Sequence, residues 1–535
     1  MTAAGQGAAQ AGGEARTGMG LVILASTLGT VFEWYDFFVY GTLATIIAHH
    51  FFPADNPNAS LLITLATFGV GFGMRPLGAV LFGVLGDRLG RKYTFLATVA
   101  LMGGATALIG LLPTYRQIGL TAPILLLLAR VAQGLALGGE YGGAAIYVAE
   151  HAPARRRGLY TSFIQAGVIG GFLLSLIAVL ASTSLVDKAQ WESWGWRVPF
   201  LFSLVLLAVS LWVRLKLHES PVFRELQAEG GLARNPLRES FDRWAKVKRI
   251  LVALFGISAG LTVIWYTAQF QSLYFIQNAL RVDDTAARLI VGAAAVCSLG
   301  WFLLFGWISD LVGRKKPIVI GHALTLLLLF PLFHWMAAAG NPDLAAAMAR
   351  APVVVTGGDC AYDPFATGKQ ATPCGRLLDA LAKKGIAYTK VDAPAGQPPQ
   401  VRIGGQPVDA ADPARLDAAL AEAGYRLEKI VPPFGRAVQV ALAIIGIGFL
   451  SGMTYGPVAA LLVELFPARV RYTSMSVPYH IGTGYFGGFL PFISQLIVVK
   501  TGDPFAGLWY TMAVVAMALV VTAFGLPETA GKELE

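Results

Sequence analysis

The sequence predicts an all-α membrane protein of about twelve transmembrane helices in two pseudo-symmetric six-helix bundles, plus a small α+β insertion outside the membrane. Three observations carry this reading. The first is composition: 55% of the 535 residues are hydrophobic and only 14% are charged, with a mean hydropathy of +0.60. A soluble fold of that length could not hide so much apolar surface. The second is a charged phrase that occurs twice, as Gly83-Val84-Leu85-Gly86-Asp87-Arg88-Leu89-Gly90-Arg91-Lys92 and as Gly306-Trp307-Ile308-Ser309-Asp310-Leu311-Val312-Gly313-Arg314-Lys315. The third is a second matched pair, Glu150-His151-Ala152-Pro153-Ala154-Arg155 with Glu464-Leu465-Phe466-Pro467-Ala468-Arg469. Asp87 and Asp310 lie 223 residues apart and Glu150 and Glu464 lie 314 apart, so the second half carries 91 extra residues between its two signatures. Each phrase sits where a long apolar run stops, so the repeating unit is a set of membrane helices.

Apolar stretches of about 20 residues, enough to cross a bilayer, fall near 19–48, 59–85, 94–114, 121–148, 159–182, 197–217, 250–278, 286–309, 317–338, 437–463, 473–499 and 503–526. The Gly/Ala-rich residues 1–18 do not read as a cleavable signal. Basic residues near span ends favour the cytoplasm. Arg88, Arg91 and Lys92 follow span two, Arg155 to Arg157 follow span four, and Arg314 to Lys316 follow span eight, whereas the loops on the other side hold isolated bases such as Arg116 and Lys500. Both termini are therefore expected in the cytoplasm of a bacterial inner-membrane protein. Bases spread over several loops account for the net charge of +9 and exclude a nucleic-acid surface. The expected organisation is a tail at 1–18, an N-terminal bundle at 19–218, a cytoplasmic loop at 219–249, three helices at 250–340, the insertion at 341–431, three helices at 432–527 and a tail at 528–535.

The insertion falls between spans nine and ten, on the expected periplasmic side. Val353–Val355, Ala387–Val391 and Val401–Ile403 read as strands, while Arg376–Lys384 and Ala414–Ala423 read as helices, the second opened by Asp412 and Pro413. Cys360 and Cys374 stand 14 residues apart and are candidates for a disulfide in an oxidising compartment. Cys297, in span eight, reads as an inert buried thiol. The order of strands and helices is faintly thioredoxin-like, without a C-x-x-C, so redox catalysis is not expected. A passive or modulatory part is the first expectation, with a periplasmic partner contact or a sensor as alternatives.

The doubled phrase resembles the loop signature of the major facilitator superfamily. Further phrases are similar to those of its metabolite:proton symporter family: Phe32-Glu33-Trp34-Tyr35-Asp36-Phe37, Arg75-Pro76-Leu77-Gly78, and Arg130 through Gln133-Gly134 to Gly138-Gly139-Glu140. Gly195-Trp196-Arg197-Val198-Pro199-Phe200, Glu219-Ser220-Pro221 and Tyr455-Gly456-Pro457 complete the set. The resemblance covers nearly the whole chain outside 341–431. It implies the major facilitator fold and proton-driven uptake of a small polar or carboxylated metabolite, with the proton as coupling ion and no other cofactor.

Read from the residues alone, ionisable groups inside spans are costly and mark function. Span one carries Glu33 and Asp36 on one helical face. Span two carries Arg75, and span four carries Arg130 and Glu140. The C-terminal half offers His480, Gln269, Gln271 and Tyr455 instead. A guanidinium fork suits a carboxylate, so Arg75 and Arg130, with Tyr35, Gln133 and Tyr455, are candidates for substrate binding. Asp36, then Glu140 and Glu33, are candidates for carrying the coupling proton. Arg130 and Glu140 also read as a permanent packing network, and His480 as a packing histidine.

Asp87, Arg88 and Arg91 of one half, Asp310 and Arg314 of the other, and the matched Glu150 and Glu464 are expected to form a cytoplasmic gate. Its pairs are expected to be exposed and individually weak. No nucleotide-binding loop, metal-ligand cluster or nucleophile elbow is present, so an enzyme is not expected. Together these features are expected of a proton symporter for a small organic acid or zwitterion. The alternatives are a transporter-derived nutrient receptor using the insertion and, more weakly, a drug exporter.

Overall fold

The computed structural model describes residues 19–53, 57–89, 91–139, 141–215, 236–366, 369–394, 397–409, 412–467, 470–532 and 534. Ten helices in it are long and apolar enough to cross a membrane: Pro57–Phe82, Thr121–His151, Ala154–Leu185, Gly195–Trp212, Trp244–Ala279, Asp284–Val312, Lys315–Gly340, Phe434–Leu465, Arg471–Thr501 and Leu508–Gly525. Met19–Thr42 and Arg91–Leu111 complete twelve spans, numbered here one to twelve along the chain. Large apolar side chains such as Leu327 and Phe524 stand exposed on the outer surface, as a lipid-facing surface requires. Cys297 belongs to that surface: it is exposed, not buried as expected, because that face of span eight points away from the other helices.

The duplication is visible in the packing. In the first half span one packs on five, two on four and three on six; in the second, seven packs on eleven, eight on ten and nine on twelve. The halves meet where span two lies against eleven and span five against eight, which is the same contact made twice. Spans two and four approach backbone to backbone. A Cβ at Gly134 would come within 1.8 Å of the Gly71 carbonyl oxygen, and one at Gly138 within 2.1 Å of the Arg75 carbonyl oxygen. Only glycine permits this contact, the small-residue packing that membrane helices use. Span seven has π-helical turns at Val252–Ser258, Thr267–Gln271 and Phe275–Ala279, and span eleven has one at Gly482–Gly487. Such turns are common where a helix serves function.

The insertion is an α+β globule. Its strands β1 (Val353–Gly357), β2 (Tyr388–Asp392), β3 (Gln400–Ile403) and β4 (Gln406–Val408) lie in the order β2-β1-β3-β4. Strands β1 and β2 are parallel and joined by the helix Pro373–Lys383; the other pairings are antiparallel. Alternate residues Val353, Val355 and Gly357 are buried, as a strand with one face on a core demands. Strand β4 escaped the sequence reading because it is short and contains Pro407, which suits only an edge. Its signal was the pair Gly404-Gly405, both at positive φ (58° and 83°), a two-residue hairpin turn.

The globule is rooted on the second half. Ile430 pairs with the chain after span seven, its N–H donating to Arg281 O (2.8 Å) and its carbonyl accepting from Asp283 N–H (2.8 Å). The Arg281 guanidinium donates to the Lys384 carbonyl, and Lys429 pairs with Asp284 at 2.7 Å. Tyr388 N–H donates to Gly502 O (3.2 Å). The Tyr388 ring covers Gly502, where a Cβ would lie 2.7 Å from it and φ is +74°. Helix Pro373–Lys383 also reaches the N-terminal half at span two.

Cys360 and Cys374 are joined by a disulfide with Cα atoms 4.7 Å apart. Closing a loop of this length stabilises by about 3 kcal/mol in the chain-entropy account. Replacing both cysteines by serine is expected to make the globule, but not the membrane spans, sensitive to limited proteolysis. Unchanged cleavage of the globule would show that its core alone holds it.

Candidate functional site

Arg75 lies at the seam between the halves. It is wholly buried, and its Nη1 donates to Thr483 Oγ1 of span eleven at 3.0 Å. Its Nε and Nη2 have no hydrogen-bond partner. These two nitrogens form one edge of the guanidinium plane, the edge that takes a carboxylate in two parallel bonds. Around it stand the rings of Trp34, Phe72 and Tyr479, with centroids 5.2, 5.5 and 5.8 Å from Cζ. The Tyr479 hydroxyl is 2.8 Å from that of Tyr455. The site thus joins spans one, two, ten and eleven.

Arg130 is built differently. Its Nη1 donates to Gln133 Oε1 at 2.6 Å and its Nη2 to Phe68 O at 3.2 Å. The rings of Phe37 and Tyr40 lie 4.1 and 4.5 Å from its Cζ. Gln133 Nε2 then donates to Thr106 Oγ1 (2.7 Å) and to Asp36 O (3.1 Å). A chain of bonds inside the first half therefore ties Arg130 to the backbone of span one at Asp36. The Asp36 carboxyl is buried and its Oδ1 has no partner. Glu33, one turn earlier, is also buried. Tyr35 turns away from Arg75: its hydroxyl donates to Pro199 O and its ring meets Phe202 edge-on. Glu140 lies outside the described residues, as do the side chains of Asp87, Arg88 and Arg91.

Both faces around this centre are closed. On the globule's face, Tyr274 of span seven donates to Gly41 O of span one at 2.9 Å. A Cβ at Gly41 would come within 2.6 Å of the Phe270 ring, so the aromatic side chains of the two halves interlock there.

On the opposite, arginine-rich face the halves exchange charges. Arg157 of the first half pairs with Glu464 of the second at 3.2 Å, and Arg471 of the second with Glu150 of the first at 3.4 Å. Glu464 also holds Arg314 at 3.0 Å, and Arg314 holds Asp310 at 2.6 Å. Asp310 accepts in addition from Gly158 N–H (2.8 Å) and Leu159 N–H (2.9 Å). A carboxylate at the start of span five meets the positive end of that helix. The expectation of exposed, weak pairs is overturned here: the side chains of Glu464, Arg314 and Asp310 are 0%, 1% and 3% exposed. The reason is that Arg157 and the Gly158 and Leu159 N–H groups of the first half close over this second-half cluster, so the meeting of the halves covers it.

Three members of this latch escaped the sequence reading. Arg157 and Arg471 stand seven residues after Glu150 and Glu464 in each half, so extending the matched phrase by two residues finds them. Glu528, after span twelve, accepts from the backbone N–H groups of Arg314, Lys315, Thr529 and Ala530. Burial pushes its carboxyl up, and these N–H groups outweigh that and hold it below the usual carboxylate range. The Arg314 guanidinium shows the same contest: burial disfavours its charge, and Glu464 and Asp310 more than restore it.

The fold and this arrangement define a multi-pass membrane transporter: two matched bundles closed at both faces around a buried arginine with unmet donors. Comparison with known proteins gives the same class. Residues 21–254 match the family "Sugar (and other) transporter". The chain is 33% identical over 504 residues to the inner membrane metabolite transport protein YhjE of Escherichia coli K12, covering 93% of this chain and 92% of that one. It is 38% identical over 321 residues to the glycine betaine/proline/ectoine/pipecolic acid transporter OusA of Dickeya dadantii, covering 58% and 63%. A crystal structure of a D-xylose-proton symporter shares the fold, with a TM-score of 0.60 at 18% identity over 96% of this chain and 99% of that one. The chain belongs to the major facilitator superfamily and is a transporter, not an enzyme.

Removing one partner of a buried pair costs about 3–5 kcal/mol. Glu464→Gln strips Arg157 and Arg314 together, so the closed latch is expected to weaken by at least the 1–3 kcal/mol typical of a conformational coupling. Cysteines placed on the arginine-rich face should then be alkylated at least about fivefold faster. Equal rates would make these pairs structural only.

Proposed function

We propose that the protein imports a small carboxylate-bearing metabolite, an organic acid or a zwitterion, together with protons across the bacterial inner membrane. Both termini and the latch face the cytoplasm, and the globule faces the periplasm. The observation that carries this reading is Arg75: a wholly buried guanidinium at the seam, one edge without a partner. Leaving buried donors unmet costs stability, and a carboxylate between the halves matches them. The aromatic rings around it exclude water and so strengthen the pairing. The solutes named for the Dickeya relative each carry a carboxylate, which supports the same reading.

The proton is assigned to Asp36. Its carboxyl is buried with one oxygen unmet, while its own backbone is tied through Gln133 to Arg130. A solute that draws on the arginines changes the field at that carboxyl, and the proton follows. Release then requires the latch to open on the cytoplasmic side, where Glu150, Arg157, Glu464 and Arg471 part as the bundles rock. The globule acts as a modulatory lid: rooted on the second half, it touches span two of the first through helix Pro373–Lys383.

The test is internal pH in proteoliposomes challenged with organic acids and zwitterions. Wild type is expected to acidify the lumen with its substrate, and Asp36→Asn to bind without moving protons. Arg75→Gln should weaken binding about 10- to 150-fold, the worth of a charged hydrogen bond of about 1.5–3 kcal/mol. Binding without any proton movement in wild type would sink the symport reading and favour a receptor or another coupling ion.

A further inference from the structure

His480 of span eleven is wholly buried, and neither of its ring nitrogens has a hydrogen-bond partner. Its neighbours place it at Arg75. Thr483, one turn on, takes the Arg75 Nη1 bond, and Tyr479, the residue before, lays its ring 5.8 Å from the Arg75 Cζ. Ser476, one turn back on the same helical face, also has an unmet Oγ. That oxygen lies 2.6 Å from where a Cβ on Gly142 of span four would stand, so this face of span eleven looks across the seam into the first half. A packing histidine normally gives at least one nitrogen to a carbonyl or hydroxyl. Here two nitrogens and two guanidinium nitrogens are unmet together, and they belong to opposite bundles.

We propose that His480 sets substrate specificity by binding the carboxylate end of the solute jointly with Arg75, and that the solute carries an O–H or N–H donor beside its carboxylate. The inference rests on the carboxylate reading of Arg75 given above. A neutral imidazole offers one N–H donor and one acceptor nitrogen. The donor suits the second lone pair of a carboxylate oxygen already held by the Arg75 edge. The acceptor is satisfied only if the solute presents a hydrogen of its own, as a 2-hydroxy acid or an imino acid does and a fully methylated betaine does not. Because the two anchors sit on different bundles, one small group binds both halves and favours their closure around it.

The experiment uses the full chain in proteoliposomes with two matched pairs of solutes: lactate against propionate, and proline against N,N-dimethylproline. Binding is read by displacement and transport by uptake, with internal pH recorded in the same vesicles. Wild type is expected to take the donor-bearing member of at least one pair about tenfold more tightly. His480→Ala should erase that difference by weakening both members through the lost carboxylate bond and the donor-bearing one further, and His480→Gln, which keeps a donor and an acceptor, should restore part of it. Discrimination that persists in His480→Ala, no discrimination in wild type, or no binding of any of the four overturns the proposal. Should His480→Ala fail to fold, the Gln variant decides: loss of affinity for both members of a pair equally assigns His480 to packing. Failure of the proton signal with discrimination intact counts against symport and not against His480.

Discussion

Two glutamates and two arginines exchanged between the bundles are the interaction on which the described state depends. Glu150 and Arg157 come from one half and Glu464 and Arg471 from the other, and each acid takes its base from across the seam. A charge removed from water must meet its opposite or cost several kcal/mol. By lying together on that face the halves pair these charges across the seam, in addition to the Glu464–Arg314 pair within the second half. Asp310 adds a carboxylate at the head of span five, and Glu528 draws the chain end onto the same cluster. The latch is therefore continuous from the second repeat phrase to the C-terminal tail.

The same constraint, read where it is not met, marks the centre. Paired charges hold a shape, whereas Arg75, Asp36 and His480 keep polar atoms without partners in a dry interior. The halves have divided these tasks. The first supplies the ionisable groups and the bond chain from Arg130 to Asp36. The second supplies hydroxyls, an imidazole and the π-helical turns of spans seven and eleven, which shift the register of side chains facing the seam. Close glycine contacts between spans two and four fix the arginines, so positions of charge follow from backbone packing.

Much of the fold was legible because hydropathy and duplication are both written at long range in the chain. Twelve apolar runs and two repeated phrases give the bundles, and the change of composition after residue 340 gives the globule. The latch was legible in its kind but not in its burial, since exposure depends on how two distant phrases meet. Tyr35 sits within the same span-one phrase as Asp36, yet it faces span six; helical phase at the turn of one residue decided that. Glu528 carried no sequence signal beyond following an apolar run, because its partners are backbone groups. His480 was visible as a residue, and what it lacks was visible only in three dimensions.

The globule leaves span nine at Asn341, whose side chain bonds the Leu280 carbonyl, and returns at Ile430, which pairs with Arg281 and Asp283. Departure and return thus meet within a few residues of one turn. An excursion whose two ends share a doorstep imposes no stretch on the bundle that hosts it. Such a module can be inserted there without redrawing a single membrane helix, which makes this corner of the fold a natural socket for added parts.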